Sequence, residues 1–513
     1  MFKKSVLAAS TIVSLCLSGC VGPDDPLESA IKQSMVTDCS SLPQMSAPID
    51  PNKEITIRET SVVDDPCRTL WTATSCAANT LGRWTFGRFM AVMSGNADPT
   101  SATARTFVKN WLALWLAPQT VNAARPQIVA PRPLIGGVLL FRWLQASNCS
   151  PPAQNTVDPA RWLSVLQNCN TLDLKAAPFR LLGIANRIDL DGRDYNGNNG
   201  APGELRFVFG VLNPSTPATQ TANAEVIFEF HYPSTFPNQW WATMFHNLSG
   251  VTFGASFNSQ LQSQITDLVT EPGAQPGGPN GGSAIGQIRT TENAFDSSPV
   301  ASRVWEFRQF ALPACATAPC QLVEAPVSQT PPTSDNNGQP LTQFLIDNQA
   351  AISTSHHVVP ANMLGGSSLS PSIGNVAVWN TTVQADGSHT LVDPNDSLFS
   401  WTVRHNFAFS TCNGCHYLET ANFNQQFHFG PRAAGQPSQL SPFLSRTITP
   451  DPARNGYPQD MLSVNDPNLD STDPFNGTPI YFQYNEIWRR SCEIRRVYFQ
   501  TQQAPFTTPT GHN

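Results

Sequence analysis

Apolar residues recur at helical spacing in the first third of the chain. Between residues 66 and 175, Phe107 and Trp111 fall on one helical face, and Thr100 or Ser101 is placed to cap its start. We expect the aromatic stripe of this face in the core rather than on a cofactor surface, because large apolar side chains are mostly buried. The pattern predicts that residues 66–175 are mostly helical.

The period of the pattern changes to two between residues 176 and 330. Leu205, Phe207 and Phe209 share one face while Glu204 and Arg206 point to the other, which predicts a strand with one apolar face. The predicted strands cover 179–190, 204–211, 225–232, 285–291, 304–312 and 321–327. A helix with Phe257 near its start interrupts them. We predict an antiparallel sheet domain over 176–330, with His231 exposed to solvent on the polar face.

Residues 331–513 are mostly irregular, with helical stretches at 341–352 and 485–500. A long segment, 354–400, has no clear period. Taken with the preceding regions, this predicts an α+β fold that has N-terminal helices, a central antiparallel sheet and an irregular to helical C-terminal segment.

The first twenty residues have the parts of a bacterial export signal. Two lysines precede an apolar run that ends at Leu17, and small residues follow. The sequence Leu17-Ser-Gly-Cys20 resembles the lipobox of bacterial lipoproteins. This resemblance implies cleavage before Cys20 and lipid on its thiol, with several acyl chains as a stable anchor. Val21 at the next position implies sorting to the outer membrane, with a periplasmic or surface-exposed body.

We therefore predict a signal peptide over residues 1–19. The segment 20–65 has scattered proline and aspartate, which favours a tether between the lipid and the folded body. A secreted protein with a chance cysteine at the cleavage site is the alternative. The partner that this interpretation implies is the membrane, through the lipid anchor.

Composition and charge agree with export. Only 13% of the residues are charged, about half of the usual share of about 25%. Loss of Lys3 and Lys4 with the signal takes the formal net charge from −7 to −9, which argues against nucleic acid as a partner.

Disulfide bonds are expected in an oxidising compartment, with Cys149–Cys169 and Cys315–Cys320 as the local pairs. The other candidates for pairing are Cys39, Cys67, Cys76 and Cys492.

The most informative motif is Cys412-Asn-Gly-Cys415-His416, which rarely arises by chance from 12 cysteines in 513 residues. C-x-x-C-H is the attachment signal for c-type haem: two thiols add to the porphyrin vinyl groups and the histidine ligates the iron. Alternatives are a disulfide between Cys412 and Cys415, an unused motif, zinc binding or thiol redox chemistry. Export of the chain favours haem, because covalent attachment takes place outside the cytoplasm.

A second iron ligand could come from three residues. His428 lies twelve residues past His416 and is flanked by phenylalanines, Met461 lies 45 residues past it, and His405 lies upstream. Each could also be an ordinary side chain without a role in ligation. The choice matters because methionine ligation raises the reduction potential relative to histidine.

Residues 189–200 are rich in oxygen ligands and turn formers, which makes calcium a candidate cofactor there. Asp194, Asn196 and Asn198 match the first, third and fifth positions of an EF-hand loop. Gly200 and Glu204 are out of register with the rest of that pattern, and the flanks resemble strands. A loop that connects two strands is the alternative.

The sequence contains no H-E-x-x-H, G-x-S-x-G or phosphate-loop motif, so an electron carrier or binding protein is favoured over an enzyme. The arginines of the last helix could meet haem propionates, but we expect them to be exposed. A single C-x-x-C-H argues against multihaem proteins and di-haem peroxidases.

Around the motif, the sequence resembles c-type cytochromes at Cys412, Cys415 and His416. A wider set of segments resembles a group of large exported lipoproteins of Gram-negative bacteria, which implies an architecture but no activity. The wider resemblance rests on residues 186–190, 204–208, 404–407, 411–420, 428–432 and 440–444. Tyr417, directly after the haem histidine, departs from the small cytochromes.

We expect electron transfer or haem-based sensing at the envelope, with an envelope redox partner. The alternative is a non-haem lipoprotein that binds a ligand or partner and has a Cys412–Cys415 disulfide.

Overall fold

The computed structural model describes the chain in segments. These are residues 33–34, 39, 42–193, 199–213, 215, 221–295, 305–335, 339–353, 357–370, 403, 405–416, 418–420, 427–449, 458–465 and 481–499. The predicted signal peptide, the lipidation site Cys20 and residues 194–198 of the proposed calcium loop lie outside the described residues.

An antiparallel sheet of eight strands forms the centre of the fold, as the alternating pattern predicted. Numbered along the chain, the strands are β1 Gln33–Ser34, β2 Thr56–Ile57, β3 Gln119–Val121, β4 Gln127–Val129, β5 Phe179–Arg193, β6 Asn199–Leu212, β7 Thr221–His231, β8 Ile285–Thr291, β9 Trp305–Ala311, β10 Val323–Ala325, β11 Ser368–Ser370, β12 Leu462–Asn465 and β13 Tyr481–Tyr484. The central sheet has the order β10-β9-β8-β7-β6-β5-β2, and β11 also pairs with β9. Strands β1, β13 and β12 form a second sheet, and β3 pairs with β4.

Helices flank the sheet, so the predicted α+β class is confirmed. The α-helices are Pro51–Glu54, Thr60–Val63, Pro66–Thr69, Phe86–Met93, Ala102–Leu116, Phe141–Ala146, Pro159–Asn168, Asn238–Ser249, Ala255–Leu261, Asp267–Thr270, Pro279–Gly282, Gln339–Asp347, Gln349–Ser353, Cys412–Cys415 and Glu486–Tyr498. Short π- or 3-10-helical turns occur at Gly136–Leu140, Leu174–Ala176, Gln262–Thr266, Asn293–Phe295, Thr333–Asp335, Ala361–Met363 and Leu418–Thr420. In the described part of the chain, no helix is both long enough and apolar enough to cross a bilayer.

The main core lies between the apolar face of the sheet and the N-terminal helices. Phe207 on β6 and Phe228 on β7 contact Phe89 at ring centroid distances of 4.7 and 5.4 Å. Trp111 is fully buried in the same core, and the Ser101 hydroxyl accepts the Ala104 amide to cap its helix, as predicted. The aromatic stripe is therefore core.

The opposite face of the sheet is polar, yet it is buried. Glu204, Arg206 and Glu229 are each at most 1% exposed, because the C-terminal part of the chain covers them. Phe429 packs on this face, where a side chain at Gly183 would overlap its ring. The expectation that His231 meets solvent freely is wrong, since His231 is half-buried.

The last helix contributes to this cover, and the expectation that its arginines are exposed is wrong for three of the four. Arg489, Arg490 and Arg496 are at most 6% exposed and pair with acids. Arg489 donates to Asp189 on β5 at 2.7 Å. Arg489 therefore directs its charge to the sheet and not to water.

The described part of the chain contains four disulfides, and the predicted local pairs Cys149–Cys169 and Cys315–Cys320 are confirmed. The others are Cys67–Cys76 and Cys39–Cys492, and the last joins the N-terminal segment to the C-terminal helix. Ile55 and Ile57 are buried and β2 pairs with β5. Residues 49–63 therefore belong to the folded body and not to a tether.

Candidate functional site

The C-x-x-C-H motif forms one helical turn with a defined start and end. The Thr411 hydroxyl caps it by accepting the Gly414 amide at 3.2 Å. The His416 amide donates to the Cys412 carbonyl at 2.9 Å, which closes the turn. A β-carbon at Gly414 would lie 2.0 Å from the Ala408 carbonyl oxygen. Only glycine therefore fits this turn against the preceding helical residues.

Both cysteines of the motif are thiols and not part of a disulfide, unlike the eight cysteines that form the four bonds above. The expected alternative, a Cys412–Cys415 disulfide, is not what the structure contains. Cys412 packs against Phe307 and Val327. Burial raises the pKa of Cys412 and of Cys415, because a thiolate is poorly solvated there. The two groups are neutral thiols at neutral pH.

His428 is brought to the motif, as the sequence analysis proposed. Its ring lies 4.5 Å from that of His416, centroid to centroid, and its Nε2 lies 3.9 Å from Cys415 Sγ. Nδ1 lies 2.9 Å from the Ser441 hydroxyl. Burial, with the charges of His416 and Arg490, lowers the pKa of His428 well below its usual value. A neutral imidazole therefore directs Nε2 towards the motif.

The other two ligand candidates are placed differently. His405 is engaged at both nitrogens, with Glu419 at Nδ1 and Tyr484 at Nε2. Met461 precedes β12 and is half-buried. Of the three candidates, the fold assembles only His428 with the motif.

A buried ionic network lies next to the site. Asp189 accepts from Arg187 at 2.8 Å and from Arg489 at 2.7 Å. These charges hold the pKa of Asp189 far below its ordinary value despite its burial. Asp189 is one end of the segment proposed for calcium, and the arginines already occupy its carboxylate. Calcium at 189–200 stays a prediction.

A small pocket beside His428 is lined by the buried carboxyl group of Glu225. The pocket has room for about one water molecule, about 10 Å3, and is lined by Ala185, Arg206, Val208, Glu225, Ile227, His428 and Phe429. Oε1 of Glu225 has no hydrogen-bond partner among the described residues, and Thr291 donates to Oε2 at 3.4 Å. Burial raises the pKa of Glu225 well above its usual value.

Replacing Glu225 by glutamine is expected to remove a pH-dependent loss of stability. The folded state holds the Glu225 proton to higher pH than the unfolded state, so the wild type loses stability as pH rises above about 4.5, by at most about 1.4 kcal/mol per pH unit. The advantage of Glu225→Gln should therefore grow between pH 5 and pH 8. Urea unfolding across this range measures it, with the exposed Glu59→Gln as control. Parallel curves for Glu225→Gln and wild type would contradict the expectation.

The donor set suits haem better than a bare metal ion. A protein-bound zinc or similar ion takes three or four ligands from the chain, and no group of three such side chains converges within the described residues. A haem iron takes four ligands from its own macrocycle and needs one or two from the protein. The site offers His416 and His428 as candidate iron ligands, and two adjacent thiols for attachment of the macrocycle.

The space at the site is narrower than a haem requires. Two imidazoles on opposite sides of one iron stand about 6 Å apart between centroids, taking metal–nitrogen bonds of about 2 Å. His416 and His428 are 4.5 Å apart. The pocket beside His428 has room for about one water molecule, about 10 Å3, which is far below the roughly 300–1,000 Å3 of cofactor sites. Cys412, Cys415 and His416 have the residue types and the order that attachment needs, but in this structure they are buried and leave no space for a haem. His428 could ligate the same iron only after it moves away from His416.

In protein produced without cofactor, alkylation with iodoacetamide is expected to detect two thiols per chain, and only after unfolding. Iodoacetamide should modify neither Cys412 nor Cys415 in the folded protein, because both are buried and protonated. After unfolding without reductant, mass spectrometry should find two modified cysteines per chain. Modification of none would indicate a Cys412–Cys415 disulfide and contradict the structure.

Comparison with protein-family models, with curated proteins and with solved structures finds no match for this chain. The functional argument therefore rests on the chemistry of the site.

Proposed function

We propose that this protein is an envelope-anchored lipoprotein that binds one c-type haem covalently and acts in electron transfer or haem-based sensing. The observation that carries the proposal is that the cysteines of the motif are thiols while the other described cysteines form disulfides. Eight of them form disulfides, while the two of the C-x-x-C-H motif are thiols on one helical turn next to His416. An attachment site needs its two thiols reduced before haem is added.

Cys412 and Cys415 would hold the porphyrin, and His416 would be the proximal ligand. When bound, haem supplies a one-electron couple at the iron. The chain contributes burial, which shields the site from water, and nearby charges of both signs from Arg187, Asp189 and the last helix. His428 is the preferred second ligand and Met461 the alternative.

The anchor and the location belong to the same proposal. Lipid on Cys20 would tether the body to the outer membrane, and an envelope redox partner would exchange electrons with the haem. The disulfide Cys39–Cys492 would keep the anchored N-terminal segment attached to the helix that covers the site. No nucleic acid partner is proposed, and electron carriage is favoured over catalysis.

The test is a pyridine haemochrome spectrum of protein that is expressed in the periplasm with a cytochrome c maturation system. We expect a c-type spectrum and a haem that stays with the protein through acid–acetone extraction. Cys412→Ala/Cys415→Ala should abolish both, because no thioether can form. Cys315→Ala/Cys320→Ala removes a different, loop-bound cysteine pair and should keep the haem.

Two results would reject the proposal. A colourless wild-type protein under these conditions leaves the non-haem binding lipoprotein as the better interpretation. Haem that acid–acetone extracts from the wild type shows binding without attachment. In a haem-loaded protein, His428→Ala and Met461→Ala identify the second ligand, since loss of that ligand changes the spin state of the iron.

A further inference from the structure

Five charged side chains form a buried cluster at one edge of the central sheet, and acids outnumber bases in it. The members are Arg132, Glu292, Glu306, Arg308 and Glu324. None of the five side chains is more than 14% exposed. Because a buried charge is costly without a partner, three carboxyl groups cannot all be ionised beside two guanidinium groups without a penalty.

The two arginines are engaged mainly with two of the acids. Arg132 Nε lies 2.6 Å from a carboxylate oxygen of Glu292, and another nitrogen of the same guanidinium contacts Glu306. Arg308 Nε lies 3.2 Å from Glu292, and the Trp115 indole donates to the same carboxylate at 2.6 Å. Although burial acts in the opposite direction, Arg308 and Arg132 lower the pKa of Glu292. Glu292 and Glu306 therefore hold the negative charges that the arginines balance.

Glu324 is the acid that remains. Its Oε2 accepts from Arg308 at 3.3 Å, and its Oε1 has no hydrogen-bond partner among the described residues. The side chain is only 2% exposed. Burial raises the pKa of Glu324 to about 7, and the nearby charges of Glu292 and Glu306 act in the same direction. A proton on Glu324 thus cancels the excess negative charge of the cluster.

The elements that pack on β10 add no further charge at Glu324. They are β9, β3 and the helix Ala102–Leu116. The charged residues of β9 belong to the cluster, and β3 has none. Arg105 and Lys109 of the helix donate to backbone carbonyls within residues 167–170. In the described part of the chain, the protonation of Glu324 is therefore governed by the cluster itself.

Glu324 lies on a short strand at the outer edge of the sheet. β10 has three residues and pairs with β9 at the end of the strand order. The chain is held on both sides of it, because the amides of Cys320 and Val327 donate to Asn280 Oδ1 at 2.7 Å and to the Gly365 carbonyl at 2.8 Å. Displacement of β10 alone would bring Glu324 into water and leave the rest of the sheet in place.

We propose that Glu324 is a proton-sensitive switch, which keeps β10 on the sheet when it is protonated and releases β10 when it ionises. In the closed form, an ionised Glu324 would face the carboxylates of Glu292 and Glu306 without water, whereas in the open form water solvates it. Release uncovers the outer edge of β9. Such an edge can pair with a strand of another chain, so the switch controls access to a docking edge.

The pH range of the switch follows from the two states of Glu324. In the open form the carboxyl group ionises near its ordinary pKa of 4.5, and in the closed form its pKa is about 7. Opening therefore releases a proton between these two values, and the opening constant rises by about tenfold per pH unit. Above about pH 7 both forms are ionised, and the rise stops.

The experiment is hydrogen–deuterium exchange of the full chain, followed by mass spectrometry of peptides that contain β10. Wild type and Glu324→Gln are compared at each pH, because base catalysis of exchange is then the same in both. Glutamine has the shape of the protonated carboxyl group and cannot ionise, so it should keep β10 closed. We expect the ratio of wild-type to variant exchange rates at β10 to rise by about 10²-fold between pH 5 and pH 7, and to stay level at higher pH.

Two variants serve as controls. Glu225→Gln removes another buried carboxyl group whose pKa is raised by burial, but it lies on the central strand β7. Glu59→Gln removes an exposed carboxyl group. Both variants should keep the wild-type pH dependence at β10, and its loss in either of them would overturn the proposal.

Two further results would overturn it. One is a ratio between wild type and Glu324→Gln that stays constant from pH 5 to pH 7. The other is an equal rise of this ratio at β6, because the whole sheet would then unfold rather than its edge. The exchange measurement does not require haem, so its outcome is independent of the proposed function.

Discussion

Replacing Asp189 by asparagine is expected to lower the free energy of unfolding by about 3–5 kcal/mol at pH 7. Asparagine keeps the shape of the side chain but removes the charge that Arg187 and Arg489 contact at 2.8 and 2.7 Å. Both guanidinium groups are at least 95% buried, so water does not replace the lost partner. Urea unfolding followed by tryptophan fluorescence measures the change.

Three controls give this prediction its specificity. Asp347→Asn removes an exposed carboxylate and should stay within about 0.5 kcal/mol of wild type. Adding Arg489→Met to Asp189→Asn should cost less than the two single changes together, because the partners share one interaction. The penalty should also shrink as the pH falls below about 3.8, because the stabilisation by a carboxylate with a lowered pKa is complete above its unfolded pKa and is lost as the pH falls towards its folded pKa. A cost below 1 kcal/mol at pH 7 would contradict the buried network.

Gly414→Ala is the second change with a large expected effect, roughly 1–3 kcal/mol of lost stability or more. The added methyl group would lie 2.0 Å from the Ala408 carbonyl oxygen and 3.0 Å from the Thr411 hydroxyl oxygen. Because the first of these atoms is backbone, the motif turn or the helical residues before it must shift. The thiols and His416 would then lose their alignment, so the yield of covalent haem should fall with the stability.

Gly250→Ala is the matched control for this change. Its added methyl would meet only the Asn247 carbonyl oxygen at 3.6 Å, an ordinary contact, and its backbone is already helical with φ −71°. Stability and haem yield should match wild type. If Gly414→Ala behaved like Gly250→Ala in both measurements, the tight approach of the motif to Ala408 would be disproved.

Local sequence pattern was sufficient for much of the fold. The two-residue period of β6 and β7 and the helical stripe with Trp111 depend on neighbours close in the chain, so they can be read without tertiary information. The pairs Cys149–Cys169 and Cys315–Cys320 are local for the same reason. The chemistry of the site is also local, since the motif lies within five residues and His428 only twelve further on.

What the sequence alone determined is the class of fold, the local disulfides and the identity of the motif residues. Only the tertiary structure decided that the polar face of the sheet is buried, that Arg489 meets Asp189 across 300 residues and that Tyr484 lies against His405. Alternating charge along a strand is the same pattern whether the face meets water or an oppositely charged helix. Whether the polar face is exposed or buried depends on which distant segment packs on it. The free energy of that packing comes from long-range contacts, which the local sequence pattern does not show.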